Sequence, residues 1–345
     1  MRCDKRQAAT LVSFVLIASL IHSSGNPVLV YKKKYVMGTI FEIAAYDQSP
    51  EHASDAIEKA FQEIVCLDDL LSNFKPDSAL SNLNRSAHFH PEEVPSDLYL
   101  AIDQAVQFSK LSDGKFDITI APLVDLWKAA LLGEGVPSQA QQEKVRDCVG
   151  YKKIQLMPPN RIGFLSSCLQ LDLGAIGKGY AVDRAAQVLR VLGVRDALIS
   201  AGGSTILAMG SPPGQKGWLV HLRDPSRRVD PKIMLKDESV STSEQTTRSL
   251  LGGYSLGHII DPDTGMPLKT VFTVSAVSKT ASASDALSTT LLLLGPEKGR
   301  ALIKNMAEVS AIWISDEAQV EAVTGGPEIL FGRVLSTPFS PGKNP

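Results

Sequence analysis

What this chain has little of narrows its class first. Only 6% of its 345 residues are aromatic, and its formal net charge is −2. A near-neutral balance gives no electrostatic footprint for nucleic acid, whose phosphates demand a basic face. The one basic run, Lys32-Lys33-Lys34, reads as a solvated strand edge. Of the four cysteines, only Cys66, Cys148 and Cys168 lie past the N-terminal region. Their wide spacing matches no zinc pattern, and an odd set of three allows at most one bridge among them. Cys66 falls in a helical pattern beside Ile64 and Leu67 and reads as packing. Internal repeats are absent. Only the stretch from Ala8 to Ile21 is a long apolar run, and it is too short for a comfortable membrane span. Arg2, Lys5 and Arg6 precede it and Ser23-Ser24-Gly25 follow, the layout of a secretory signal peptide over residues 1–25 with cleavage near Gly25. An uncleaved anchor is the rival reading. The mature chain is expected to be exported, and either soluble or loosely tethered to a membrane.

The remainder has ordinary globular composition, 44% hydrophobic and 21% charged, with enough material for one large core or two smaller ones. Residues 28–46 read as a strand pair, or one long strand interrupted at Met37-Gly38. The spacing of Ile57, Phe61, Ile64, Leu67 and Leu71 predicts a helix from about Ser54 to Leu71, and a second runs from Ser96 to Ser112. Residues 133–168 are polar and should hold a helix and a hairpin. Strands are expected at Cys168–Leu171, Ala197–Ser200, Trp218–Leu222 and Ser239–Ser243. Helices and strands mix without strict alternation, which favours α+β over a doubly wound sheet. No linker separates domains between residues 26 and 337, and residues 338–345, rich in Pro and Gly, read as a disordered tail.

Three stretches carry candidate chemistry. Residues 171–183, Leu-Asp-Leu-Gly-Ala-Ile-Gly-Lys-Gly-Tyr-Ala-Val-Asp, pack two carboxylates, one lysine and three glycines into a turn that opens a helix. Free backbone N–H groups and the positive dipole end there favour an anion, and Lys178 could meet phosphate. A P-loop is excluded, because Gly179 stands where Ser or Thr must follow the Gly-Lys pair, and the G-x-G-x-x-G fingerprint is missing. A tight structural turn is the plain alternative. The second stretch is His258 to Gly265, where Asp-Pro and Thr-Gly force a turn after an apolar strand end. His258 there can act as a general base, or simply cap the turn. In the third, Asp285 and Thr289 are four residues apart and share a helix face. Carboxylate and hydroxyl are hard donors of the kind Mg²⁺ accepts alongside phosphates, though a helix acid with a buried threonine is the common case.

Taken in order, Met37-Gly38-Thr39, Ser72 to Asn84, Gly114-Lys115-Phe116-Asp117, Leu171 to Asp183, Gly202-Gly203, Arg223-Asp224-Pro225, His258 to Gly265 and Asp285 to Thr289 make the chain resemble the ApbE family, the FAD:protein FMN transferases. The resemblance runs from about Met37 to Leu294. It implies one large α+β domain of the ApbE type, with mixed sheets and packed helices. It also implies a flavin site in which Met37, Phe74, Lys115, Phe116, Asp117, Asp172, Lys178 and Ile259 contact FAD. Phe74 stands where tyrosine is usual and would stack on the flavin nucleotide. Asp117 would bind ribose or adenine groups. Mg²⁺ would be held by Asp285, Thr289 and the Ala175 carbonyl, and His258 would activate an acceptor hydroxyl. The implied partner is an exported redox protein of a membrane complex, bearing an Asp-x-x-Thr-like site, with periplasmic or inner-membrane localisation if the source is bacterial. Two departures stand out: Ser204 replaces a frequent acidic residue, and Ser241 to Arg248 lacks the usual glycine and aromatic. FAD hydrolysis to FMN and AMP, and flavin binding without turnover, are the alternative functions.

Overall fold

The computed structural model describes residues 26–130, 132, 135–245, 247–249, 255–325 and 329–333. The expected signal segment 1–25 and tail 338–345 lie outside them. The framework is an eight-stranded sheet in the order Val28–Val36, Thr39–Asp47, Asp196–Ala201, Thr205–Met209, Glu238–Glu244, Phe272–Ser278, Ser310–Ser315, Val320–Thr324. Mixed sheets were the expectation, yet among the described residues every pairing is antiparallel. Three of the seven neighbouring pairs along the sheet are joined by local turns, which antiparallel strands accept, and the rest by longer connections. The first turn is Met37-Gly38, both at positive φ, which closes the hairpin expected over residues 28–46.

Helices α1 (Pro50–Leu71), α6 (Gly177–Val191) and α7 (Ala281–Ile303) cover one face of this sheet, and four further helices complete the fold: α2 (Ala79–Ser86), α3 (Ser96–Leu111), α4 (Ala121–Ala129) and α5 (Gln139–Arg146). The predicted stripe of α1 is fully inside: Ile57, Phe61, Ile64 and Leu67 pack with Phe41 and Ile43 of the sheet. On α7, Leu287 and Leu291 meet Val274, Ala276 and Trp313. Each such side chain gains roughly 1.5–3 kcal/mol from burial. The opposite face is covered by a three-stranded sheet, Trp218–His221, Val229–Leu235 and Ile329–Arg333, whose Val220, Ile233 and Leu235 pack on Ala208, Val240 and Ile312.

Two expectations change. Cys168–Leu171 is irregular backbone, not a strand, because its polar groups are taken by a side chain: Asn84 Nδ2 donates to the Leu171 carbonyl at 3.0 Å, and the Leu171 amide donates to Asn84 Oδ1 at 2.8 Å. The cysteines, to which no chemistry was assigned, are all disulfide-bonded among the described residues; the bridge between two described positions is Cys148–Cys168, with sulfurs 2.05 Å apart. It ties the segment after α5 to the approach of the glycine-rich turn. Cys66 is half-buried on α1 rather than in the core.

Helices α6 and α7 cross at contact distance. A Cβ on Gly179 would lie 2.2 Å from the Ala281 carbonyl oxygen and 2.8 Å from Asp285 Cβ. Gly193, which ends α6 at φ +85°, has open space around it. Gly179→Ala must therefore push two helix backbones apart, whereas Gly193→Ala meets only left-handed strain. In chemical denaturation we expect Gly179→Ala to cost ~3 kcal/mol or more and Gly193→Ala ~1 kcal/mol; equal losses would contradict the close crossing.

Candidate active site

A cavity of about 530 Å³ opens where the C-terminal end of Glu238–Glu244, the N-terminal ends of α6 and α7, and the His258–Gly265 loop meet. Phe74, Lys115, Phe116, Asp117, Asp172, Ala175, Lys178, His258, Ile259, Asp285 and Thr289 all line it. Met37 alone of the expected residues does not. It is half-buried in the first turn and packs toward α6, with its Cε 3.9 Å from where a Gly177 Cβ would be.

At the centre is Asp285, fully buried in the second turn of α7. The Gly179 amide donates to its Oδ2 at 2.9 Å, and Thr205 Oγ1 donates to its Oδ1 at 3.2 Å. Burial raises the Asp285 carboxyl above the usual range, and the Lys178 charge, the Gly179 amide and the Thr205 hydroxyl work against that rise. The helix N-terminus expected to be open to an anion is thus partly occupied by a carboxylate: Gly179 is held by Asp285, and the Gly177 amide by the Leu173 carbonyl at 2.7 Å. Lys178 Nζ reaches the Gly174 carbonyl at 3.3 Å and stays on the cavity wall.

Thr289 lies one turn further along α7 and shares a 3.1 Å hydrogen bond with Ser243 Oγ. The segment lacking glycine and aromatic supplies hydroxyls instead. Ser239 and Ser241 both hydrogen-bond Ser284, at 2.9 and 2.8 Å, and Ser243 bonds Ser288 at 2.7 Å. These contacts stitch the strand to α7 and fix the rotation that turns Asp285 and Thr289 to the cavity. Asp285, Thr289 and Ala175 line the same cavity, and a carboxylate, a hydroxyl and a backbone carbonyl are all hard oxygen donors. Among the described residues no cluster of three His, Cys, Asp or Glu side chains exists that could enclose a metal by itself. One carboxylate with neutral oxygens suits Mg²⁺ that keeps waters or shares substrate phosphates, so the donor set fits the implied ion.

The other walls are set by polar clamps. Lys115 Nζ donates to Asp261 Oδ1 at 2.7 Å and to Asp263 Oδ2 at 2.9 Å. Burial works to lower its ammonium, but the two carboxylates outweigh it and hold Lys115 above the ordinary lysine range. Its charge is therefore spent on fastening the His258–Gly265 loop. Asp117 is likewise engaged: it accepts from the Thr119 amide and hydroxyl at 2.8 and 2.6 Å and from the Tyr151 amide at 2.8 Å. Burial still raises its carboxyl. Asp172 Oδ1 accepts from the Gly174 amide at 2.7 Å. Phe74 is 77% exposed at the lip, with Lys128 Nζ 5.1 Å from its ring centroid. His258 stands exposed at the rim.

Three functional supports escaped the sequence. Gln245 grips both sides of Ile259, donating to its carbonyl at 2.9 Å and accepting from its amide at 3.0 Å, which orients His258. Asp183 caps α7 by accepting from the Ala281 and Ser282 amides at 2.7 and 2.8 Å. Trp127 Nε1 donates to the Gly265 carbonyl at 2.7 Å. Only Asp183 left a signal, as an acid in the glycine-rich stretch; nothing local marks the other two.

The segments that line this cavity all fall within the match to known proteins. The family model described as "ApbE family" matches residues 37–313. A FAD:protein FMN transferase of Treponema pallidum is 31% identical over 317 residues, covering 85% of this chain and 86% of its own. One from Escherichia coli K12 is 28% identical over 278 residues, covering 78% and 79%. The apo flavinyl transferase ApbE of Pseudomonas stutzeri superposes with a TM-score of 0.75 at 27% identity, covering 88% of this chain and 96% of that one. The flavin transferase ApbE of Vibrio cholerae gives 0.74 at 25%, covering 87% and 98%. With the match spanning the cavity and every segment that lines it, the chain belongs to the ApbE family.

Proposed function

We propose that this protein is a Mg²⁺-dependent FAD:protein FMN transferase that joins FMN through a phosphoester bond to a Thr or Ser of an exported redox protein and releases AMP. One observation carries the reading. The Gly179 amide donates to Asp285 at 2.9 Å, while Ala175, Lys178, Thr289 and His258 line the same cavity. Three remote stretches thus converge on one charged centre beside an imidazole.

The chain's residues divide the work. Phe74 offers an exposed ring face for stacking a nucleotide base or flavin. Lys178 meets the negative charge of the diphosphate. Asp285, Thr289 and the Ala175 carbonyl would hold the Mg²⁺. When bound, that ion supplies charge neutralisation at the phosphorus and the leaving oxygen. His258 takes the proton from the acceptor hydroxyl as its oxygen bonds the FMN phosphorus. The bond from that phosphorus to the AMP oxygen breaks, and AMP departs. Fixed walls matter here, since in-line displacement is largely a matter of positioning. Gln245 and Lys115, which hold the His258 loop, act as positioning residues.

The acceptor is proposed to carry an Asp-x-x-Thr-like segment and to belong to a membrane redox complex. Export is supported by the charged and apolar N-terminal layout and by the Cys148–Cys168 bridge, which suits an oxidising compartment. Among the described residues no helix is long and apolar enough to cross a membrane. Membrane association would therefore be weak or depend on the N-terminal segment.

Incubation with FAD, Mg²⁺ and an Asp-x-x-Thr acceptor domain should give a covalently fluorescent acceptor and one AMP per label. Free FMN with no labelled acceptor would redirect the assignment to hydrolysis. Asp285→Asn keeps the shape of the side chain but removes its charge and one of its two acceptors; we expect AMP release to fall roughly 10²-fold or more, measured on protein shown to be folded by circular dichroism. Chelation by EDTA should stop both products, and added Mg²⁺ should restore them. His258→Ala should lower labelling by ~10²–10⁴-fold while FAD still binds, read by quenching of flavin fluorescence. Wild-type labelling in that variant would remove His258 from the role of base.

A further inference from the structure

We infer that the acceptor polypeptide docks as an added β-strand on the open edge of Trp218–His221, along a groove that runs out of the catalytic cavity. This rests on the transfer reading above and deepens it by stating how the second substrate is held.

A smaller cavity of about 210 Å³ adjoins the main one and shares Ser204, Arg223 and Thr242 with it. Ile206, Val220 and Val240 give it apolar surface beside the polar Ser204, His221 and Thr242. Such a mixed lining suits the side chains of a peptide. Arg223 at the junction is paired with Glu244, so it offers little net charge to a phosphate. The nucleotide is therefore expected at the Lys178 end, leaving this groove to the protein substrate.

The wall of the groove is a sheet edge. Trp218–His221 is the terminal strand of its three-stranded sheet, paired to Val229–Leu235 on one side and, among the described residues, to no strand on the other. The Leu222 amide points inward, donating to the Pro231 carbonyl at 2.8 Å. Backbone groups alternate along a strand, so the amides of His221 and Leu219 face the open side. An extended peptide can take up those groups and set alternate side chains into the groove.

The register leads to the chemistry. Ser204 adjoins Thr205, whose hydroxyl bonds Asp285, and Thr242 adjoins Ser243, which bonds Thr289. The shared wall is thus one residue from a hydrogen-bonding partner of each side chain proposed to hold the ion. An extended acceptor continuing along this wall advances about 3.3 Å per residue from the groove toward the cavity.

The test is steady-state transfer to the Asp-x-x-Thr acceptor domain, with AMP release in the absence of acceptor measured beside it. His221→Pro removes one outward amide and leaves the inward ladder intact, as edge strands permit. His221→Ala keeps that amide and removes the imidazole paired with Asp230. Ile206→Glu places a charge on the apolar surface of the groove. We expect His221→Pro and Ile206→Glu to raise the acceptor KM about tenfold, the scale of one lost hydrogen bond or one misplaced charge. His221→Ala should stay near wild type, and the KM for FAD should hold in all three. An unchanged acceptor KM in His221→Pro, with its thermal midpoint retained, overturns strand addition. So does a rise in the KM for FAD that matches the rise for acceptor, or equal damage from His221→Ala. Should His221→Pro fail to fold, the outcome for Ile206→Glu decides whether the groove is used. Absence of labelling by the wild type would instead sink the transfer reading itself.

Discussion

The contact from the Gly179 amide to the buried Asp285 carboxylate is the constraint on which the site depends. A carboxylate taken almost wholly out of water is costly unless donors surround it. Here the donors are the first turn of α6 and the Thr205 hydroxyl, so the charge on α7 can exist only where α6 crosses it closely. That crossing requires a residue without a side chain at position 179. Once it forms, the loop bearing Ala175 and Lys178 is fixed relative to α7, and Asp183, four residues further along α6, locks the start of α7 from the other side. Packing, electrostatics and site geometry thus share one contact.

Carboxylates in this region serve two different ends, and their partners separate them. Asp117 and Asp183 accept from backbone amides nearby and shape turns and helix starts. Asp261 and Asp263 neutralise Lys115. Asp285 also accepts two hydrogen bonds, but it sits at the convergence of strand, loop and helix with neutral oxygens beside it on the cavity wall. Burial raises Asp117, Asp183 and Asp285 alike. A perturbed acidity therefore does not pick out the functional acid; the company it keeps does.

Local order was legible in the sequence to the extent that it is local. The Met37-Gly38 hairpin, the stripe of α1, the stop of α6 at Gly193 and the strand around Ser239–Ser243 all follow from patterns within a few residues. The convergence of Asp285, Thr289, Ala175, Lys178 and His258 was legible only as motif order, because no local pattern relates positions a hundred residues apart. Gln245, Asn84 and the Cys148–Cys168 pairing were missed because each joins a partner 14 to 87 residues away, beyond the reach of a local pattern. Asn84 also explains the failed strand at Cys168–Leu171, since a side-chain amide replaces the ladder that the apolar pattern suggested. Met37 packs toward the first turn of α6 instead of lining the cavity.

Charge balance inside the cavity sets its cations apart. Lys115 is neutralised by two acids and Arg223 by Glu244. Lys178, beside the oxygen-rich wall, and Lys128, over the Phe74 ring, are held by a carbonyl and by an aromatic face instead. Apolar Ile118, Ile120 and Val124 line the cavity together with Phe74 and Lys128, while Thr242, Ser243 and Thr289 accompany Asp285. A ring can stack on Phe74, and Lys178 and Lys128 both supply positive charge on the cavity wall.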